Sequence, residues 1–209
     1  METLLPRLRV VPPPGTEPID PKTLFDSPVR EVWLEIGFGA GEHLAAQAGS
    51  HPEVGIVGCE AFVNGIASLL SHVDNGNLGN VRLFDDDARM ILDRIAPASL
   101  SRVFVLFPDP WPKTRHSARR FIQTEMLNRL GGLMRDGGEL RVATDDMGYV
   151  RWTLEHAARH PMFEWTARRP GDWREPPADW CPTRYESKAK RLGRPCVYMS
   201  FTRRARITG

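Results

Sequence analysis

The chain of 209 residues has few cysteines, no long apolar run and almost no net charge. Its three cysteines, Cys59, Cys181 and Cys196, are scattered and odd in number. They form no Cys-x-x-Cys pair, which argues against a disulfide framework and supplies no zinc ligand set, so no metal is expected. Free thiols of this kind suit a reducing, cytoplasmic setting. The longest uninterrupted apolar stretch, residues 103–107, is far below the ~20 residues that span a bilayer, so no membrane partner is expected. The first residues, Met1-Glu2-Thr3-Leu4-Leu5-Pro6, show no basic segment followed by a long apolar one, and no secretory signal is read there. Hydrophobic residues at 41% and charged residues at 26% exclude wholesale disorder and fit one globular domain.

The small net charge of +2 hides a division. Residues 1–110 hold 8 Lys+Arg and 15 Asp+Glu, a net of −7, while residues 111–209 hold 20 and 11, a net of +9. An acidic half joined to a basic half points to two ligands of opposite charge, the second a polyanion.

Six prolines between residues 6 and 21 remove backbone donors and disfavour helix before them, so residues 1–28 read as an extended or disordered arm ahead of a domain over 29–209. Beyond the arm, short apolar runs predict strands at 32–36, 54–58, 81–84, 103–107, 139–143, 163–166 and 197–202. Helical spacing predicts helices at 44–48, 62–73, 90–95, 121–130 and 150–158, with Gly131-Gly132 as a stop after the fourth. Strands alternating with helices predict an α/β, doubly wound, mostly parallel sheet. The last two strands, read without a helix between them, predict an antiparallel hairpin at the sheet edge.

The chemistry-bearing residues fall at strand ends. Glu35-Ile36-Gly37-Phe38-Gly39-Ala40-Gly41 follows the first strand, and Gly37 and Gly39 permit a tight turn with close backbone approach to a ligand. The carboxylate of Glu35 closing the strand suits a cation-bearing ligand better than a pyrophosphate, and S-adenosylmethionine carries a sulfonium and an ammonium. Glu60, 21 residues after Gly39, can accept from two ribose hydroxyls. In Asp85-Asp86-Asp87 one acid, Asp87, can accept from an adenine amino group; a solvated turn or a helix N-cap is the competing reading. Phe107-Pro108-Asp109-Pro110-Trp111 is a proline-stiffened loop presenting a carboxylate and an indole. Lys113, Arg115, Arg119 and Arg120 follow it and suit phosphates. Asp145 follows the fifth strand, and Thr183-Arg184-Tyr185-Glu186 lies in a late segment mixing aromatics with cations, as nucleic-acid contacts do.

Three classes compete on these features. A nicotinamide oxidoreductase would want pyrophosphate binding and no basic half. A non-catalytic RNA-binding module would find four acids on its ligand edge unhelpful. An amino-methyltransferase acting on another nucleic acid or on a protein is closer, because Pro-Asp-Pro-Trp resembles the Asp-Pro-Pro-Tyr type of loop.

Taken in order, Leu34-Glu35-Ile36-Gly37-Phe38-Gly39, the Pro-Asp-Pro-Trp-x-Lys-x-Arg-His run over 108–116, Ala143-Thr144-Asp145 and Thr183-Arg184-Tyr185-Glu186 resemble the bacterial tRNA (guanine-N7-)-methyltransferase family. The resemblance spans about residues 30–205, and the Pro-Asp-Pro-Trp run with its basic tail is its most specific part. It implies a class I methyltransferase with a seven-stranded sheet, and S-adenosylmethionine held by Glu35, Gly37, Gly39, Glu60, Asp87 and Asp109. It also implies Asp109 at the catalytic centre, and tRNA contacts from Lys113, Arg115, Asp145, Thr183, Arg184, Tyr185 and Glu186. The product implied is 7-methylguanosine at the variable-loop guanosine, tRNA position 46; the chain itself is expected to be a monomer or homodimer. The chain departs from the family at Ala118, where lysine is common, and at Phe62, where histidine often stands; the first weakens the expectation of one phosphate contact.

Overall fold

A computed structural model describes residues 4–207; the first three residues of the expected arm lie outside them. Among the described residues seven strands form one sheet: β1 (Glu31–Ile36), β2 (Val54–Cys59), β3 (Val81–Phe84), β4 (Leu100–Leu106), β5 (Met134–Thr144), β6 (Phe163–Trp165) and β7 (Val197–Arg203). Their order is β3-β2-β1-β4-β5-β7-β6. The first five pair in parallel, and β7 runs antiparallel between β5 and β6. Strand order reverses between β1 and β4, which opens a crevice beyond the carboxyl ends of the strands, the place where ligands bind in such sheets.

Among the described residues eight α-helices accompany the sheet: α1 (Leu4–Leu8), α2 (Glu42–Ser50), α3 (Val63–Gly76), α4 (Ala88–Leu92), α5 (Thr124–Leu133), α6 (Met147–Ala157), α7 (Gly171–Arg174) and α8 (Arg184–Arg191). Side chains alternate between faces along each strand. Val32, Leu34 and Ile36 of β1 therefore join one core with α4, α5 and α6. Trp33 joins the other, with α2 and α3. Helix α3 shows the logic: Ile66, Leu69, Leu70 and Val73 are buried on one face, and Asn77 ends the helix in a left-handed conformation, φ 47°.

Several expectations change. Strand β4 stops at Leu106 because Phe107 has φ +50°, which no strand residue adopts. Gly131-Gly132 does not stop α5. A Cβ on Gly131 would meet the Met162 sulfur at 2.5 Å, and Arg203 Nε donates to the Gly131 carbonyl at 2.8 Å. The pair thus allows close packing within the last turn. The late strands do pair antiparallel, yet α7 and α8 lie between them.

The arm packs onto the sheet edge. Leu8 and Val10 are buried, Val10 N donates to Leu83 O at 2.7 Å, and Arg9 pairs with Asp85 at 2.8 Å. Pro6 stands in the first turn of α1, where its missing N–H costs nothing.

Candidate active site

A cavity of about 620 Å³ opens at the switch point, within the usual range for small-ligand sites. The ends of β1, β2 and β3 contribute Gly37, Cys59, Glu60, Asp86 and Asp87, and the loop after β4 contributes Pro108, Asp109 and Trp111.

Glu60 is 8% exposed and its carboxylate is fixed by backbone. Gly39 N donates to Oε2 at 2.9 Å and Phe62 N to Oε1 at 3.0 Å. Each oxygen keeps a lone pair for a hydroxyl donor. Gly37, at φ +68°, has open space where a Cβ would sit, so its backbone is accessible from the cavity. Gly39, at φ +60°, is covered by Tyr185, whose ring lies 3.0 Å from that position. On the far side, a Cβ on Gly65 of α3 would meet Gly39 O at 2.2 Å. The glycine loop is thus wedged between α3 and Tyr185. Burial, with the Asp87 and Glu60 charges, pushes the Cys59 thiol well above its ordinary value, which leaves it protonated and unreactive.

The three aspartates after β3 divide their duties. Asp85 holds Arg9 of the arm. Asp86 accepts from Asp87 N at 2.7 Å and lines the cavity. Asp87 caps α4 through Arg89 N at 2.9 Å and pairs with the Arg89 guanidinium at 2.8 Å, so the N-cap reading holds for it while it still lines the cavity. Asp86, Phe62, Arg119 and Phe121 belong to the lining and were not singled out as cavity residues from sequence. A motif centred on one acid gave no reason to choose Asp86 over its neighbours.

Glu35 stands elsewhere. It is 2% exposed on the α2 face of β1, and His43 Nδ1 donates to it at 2.7 Å. Gln47 Nε2 lies 3.4 Å from His43 Nε2 and donates to Asp179 O at 2.6 Å. Glu35 therefore ties β1 to α2 and, through Gln47, to the late segment.

Asp109 is exposed on the cavity rim. Its loop begins and ends in left-handed residues, Phe107 at φ +50° and Trp111 at φ +41°. Phe107 N donates to Ala143 O at 2.7 Å, and its ring stacks on Tyr185 at 6.5 Å. Lys113, Arg115 and Arg119 are exposed beside the loop, and the Arg119 guanidinium lies 4.8 Å from the Trp111 ring. Asp145 pairs with Arg194 at 3.3 Å.

In the Thr183–Glu186 segment, two residues serve the helix itself. Thr183 Oγ1 accepts from Glu186 N at 3.1 Å and caps α8. Glu186, 1% exposed, accepts from Trp180 Nε1 at 2.6 Å, Tyr198 Oη at 2.8 Å and Lys190 Nζ at 2.5 Å. Burial would raise its pKa, but these three donors outweigh burial and hold the carboxyl below its ordinary value. Arg184 and Tyr185 face solvent.

Among the described residues no cluster of His, Cys, Asp and Glu could hold a metal ion.

Sheet order, switch-point cavity and glycine loop together define a class I methyltransferase. Solved structures agree on the fold. A 16S rRNA methyltransferase, KamB, superposes with a TM-score of 0.60 at 16% identity, over 84% of this chain and 89% of its own. An S-adenosylmethionine-dependent O-methyltransferase from Thermotoga maritima does so with a TM-score of 0.57 at 16% identity, over 93% and 69%.

Sequence comparison narrows the class. A family model described as "Putative methyltransferase" matches residues 29–199. A curated tRNA (guanine-N(7)-)-methyltransferase from Rhodospirillum rubrum is 54% identical over 99% of this chain and 82% of its own length. One from Agrobacterium fabrum is 47% identical over 98% and 88%. The chain belongs to the tRNA (guanine-N(7)-)-methyltransferase family.

Proposed function

We propose that the chain transfers a methyl group from S-adenosylmethionine to N7 of a guanosine in tRNA, the variable-loop guanosine at position 46, forming 7-methylguanosine. The observation that carries the reading is the Asp109 carboxylate on the rim of a switch-point cavity, followed at once by exposed Lys113, Arg115 and Arg119. Cofactor chemistry and polyanion chemistry meet at that one loop.

The cavity residues fit the cofactor. Glu60 has acceptor capacity left for a ribose diol, Gly37 leaves its backbone open, and Asp86, Asp87 and Asp109 make the rim anionic, as a cationic ligand requires. When bound, S-adenosylmethionine supplies the methyl group on a positively charged sulfur.

N7 of guanine has a free lone pair and no proton, so no general base is needed. The protein's task is positioning, which supplies ~7–11 kcal/mol in favourable cases. Asp109 serves it by accepting from the N1–H and 2-amino edge of guanine, or by facing the positive charge that develops on the purine. Trp111 offers the base a stacking face, and the target base is turned out of the tRNA core to reach the rim. Lys113 and Arg115 hold phosphates on either side, and exposed Arg184 and Tyr185 add contacts to the RNA. A cytoplasmic location follows from the substrate, and no helix among the described residues is long and apolar enough to cross a membrane.

The test is methylation of two otherwise identical transcripts, one with guanosine and one with adenosine at the variable-loop position. Methyl incorporation into the first alone supports the reading, and equal incorporation into both overturns the position.

A further inference from the structure

The basic run after Trp111 holds four cations, and by composition all four suit phosphate. Lys113, Arg115 and Arg119 are exposed; Arg120 is half-buried and turned inward. Its Nε donates to Pro110 O at 2.9 Å, one guanidinium nitrogen donates to Trp111 O at 3.1 Å, and the planar group lies 4.6 Å from the Trp152 ring. We propose that Arg120 is a positioning residue: it clamps the Asp109 loop in its reactive shape and does not bind tRNA phosphate.

The loop needs such a clamp. Both of its ends adopt a backbone conformation that L side chains rarely take. The Phe107 end is held by its bond to β5 and its stack on Tyr185. The Trp111 end has no strand beside it, and among the described residues no other group donates to the Pro110 and Trp111 carbonyls. Two donors from one rigid plane hold two successive carbonyls, those of Pro110 and Trp111, in a fixed relative orientation, which a single donor cannot do.

Arg120 is itself locked from below. Gln123 Nε2 donates to Arg120 O at 2.7 Å and to Ala118 O at 2.8 Å. Trp152, under the guanidinium, donates through Nε1 to Ile122 O, and Ile122 N donates to Tyr149 Oη at 3.2 Å. Burial pushes the Tyr149 phenol up to about 12, so this anchor stays uncharged at neutral pH. The chain from Tyr149 to Arg120 to Pro110 thus joins the buried core beneath α5 and α6 to the carboxylate on the cavity rim.

The proposal rests on the methyl-transfer reading above, and its test has one readout that does not. Arg120→Met keeps the aliphatic stem and removes all donors; Arg120→Lys keeps the charge and loses the fork. Hydrogen exchange at the bonded loop amides of Phe107 and His116, which flank the loop prolines, is expected to speed at least ~10-fold in Arg120→Met, with β4 and β5 unchanged. In steady state kcat is expected to fall ~10²-fold, the scale of a misplacement of about 1 Å. Arg120→Lys is expected to recover only part of that, with the salt dependence of tRNA binding as in the parent. The clamp is overturned if loop exchange is unchanged, or if Arg120→Lys has parental kcat. It is also overturned if Arg120→Met loses about one unit of salt slope, the mark of a phosphate contact. Should Arg120→Met not fold, Arg120→Lys decides. A parent protein that forms no 7-methylguanosine refutes the functional reading alone, and loop exchange still judges the clamp.

Discussion

Gly65→Ala is a substitution whose sign depends on one contact. Gly65 is the third residue of α3, and its φ is not in the left-handed region. On helix propensity alone, alanine stabilises such a position by up to ~1 kcal/mol. The structure says otherwise. The new Cβ would lie 2.2 Å from Gly39 O and 3.1 Å from Glu60 Cγ. Both neighbours are tightly held: Gly39 is pressed from the other side by Tyr185, and Gly39 N bonds Glu60 at 2.9 Å. Relief demands a shift of about 1 Å in backbone, and overpacking of this kind costs ~1–3 kcal/mol. The clash outweighs the propensity gain. Since ~1 kcal/mol corresponds to about 2–4 °C in a domain of this size, Tm is expected to fall by several degrees. The Gly39–Glu60 bond involves a charged acceptor, a class worth ~1.5–3 kcal/mol, so its disruption is expected to weaken S-adenosylmethionine binding about tenfold. Gly132→Ala is the control, because nothing lies within 4 Å of its Cβ; it should leave binding alone and hold or raise Tm. Thermal melts and cofactor calorimetry check both. A raised Tm with unchanged binding in Gly65→Ala would refute the wedge.

Other outcomes follow from the same geometry. Asp109→Ala is expected to abolish methylation while tRNA binding largely survives, in gel-shift and turnover assays run side by side; equal loss of both would remove Asp109 from the chemistry. Lys113→Ala should flatten the salt dependence of tRNA binding by about one unit, measured as log affinity against log salt. Glu186→Gln should destabilise by ~1–3 kcal/mol in denaturant titration, because Trp180, Tyr198 and Lys190 lose a buried, charged acceptor. Its pH dependence has a definite sign. The folded pKa of Glu186 lies below the ordinary 4.5, so the charge contributes stability above that value and loses it as pH falls through the folded pKa. The stability gap between parent and Glu186→Gln should therefore narrow below about pH 4.5 and stay constant near neutrality.

Much of the fold was legible because the parallel strands are buried on both faces. Such strands read as short apolar runs, and β1, β2 and β3 stand within a residue or so of the spans expected. Helix α8 was invisible for the opposite reason. Of its eight residues only Glu186 and Ala189 are buried, so it carries no apolar stripe. A threonine cap and a buried carboxylate with three donors hold it, and both are tertiary facts. Gly131-Gly132 misled because glycine marks both helix ends and close packing, and only Met162, distant in sequence, decides between them.

The site was legible at its strand ends. Gly37, Glu60, Asp87 and Asp109 line one cavity, as residues at neighbouring carboxyl ends of a parallel sheet must. Glu35 sits one residue before the end of β1, on the face turned toward His43. Period-2 alternation assigns it that face, but its partner on α2 could not be read from a single sequence. The sequence treated the basic run as one electrostatic feature. The structure separates an inward guanidinium from three outward cations, a distinction that composition does not carry.

Incubation of the protein with labelled S-adenosylmethionine and unmodified tRNA, followed by nucleoside analysis, tests the central claim most directly. The account predicts label in 7-methylguanosine. Label in an exocyclic-amine or ribose methyl product, or in no nucleoside, would contradict it.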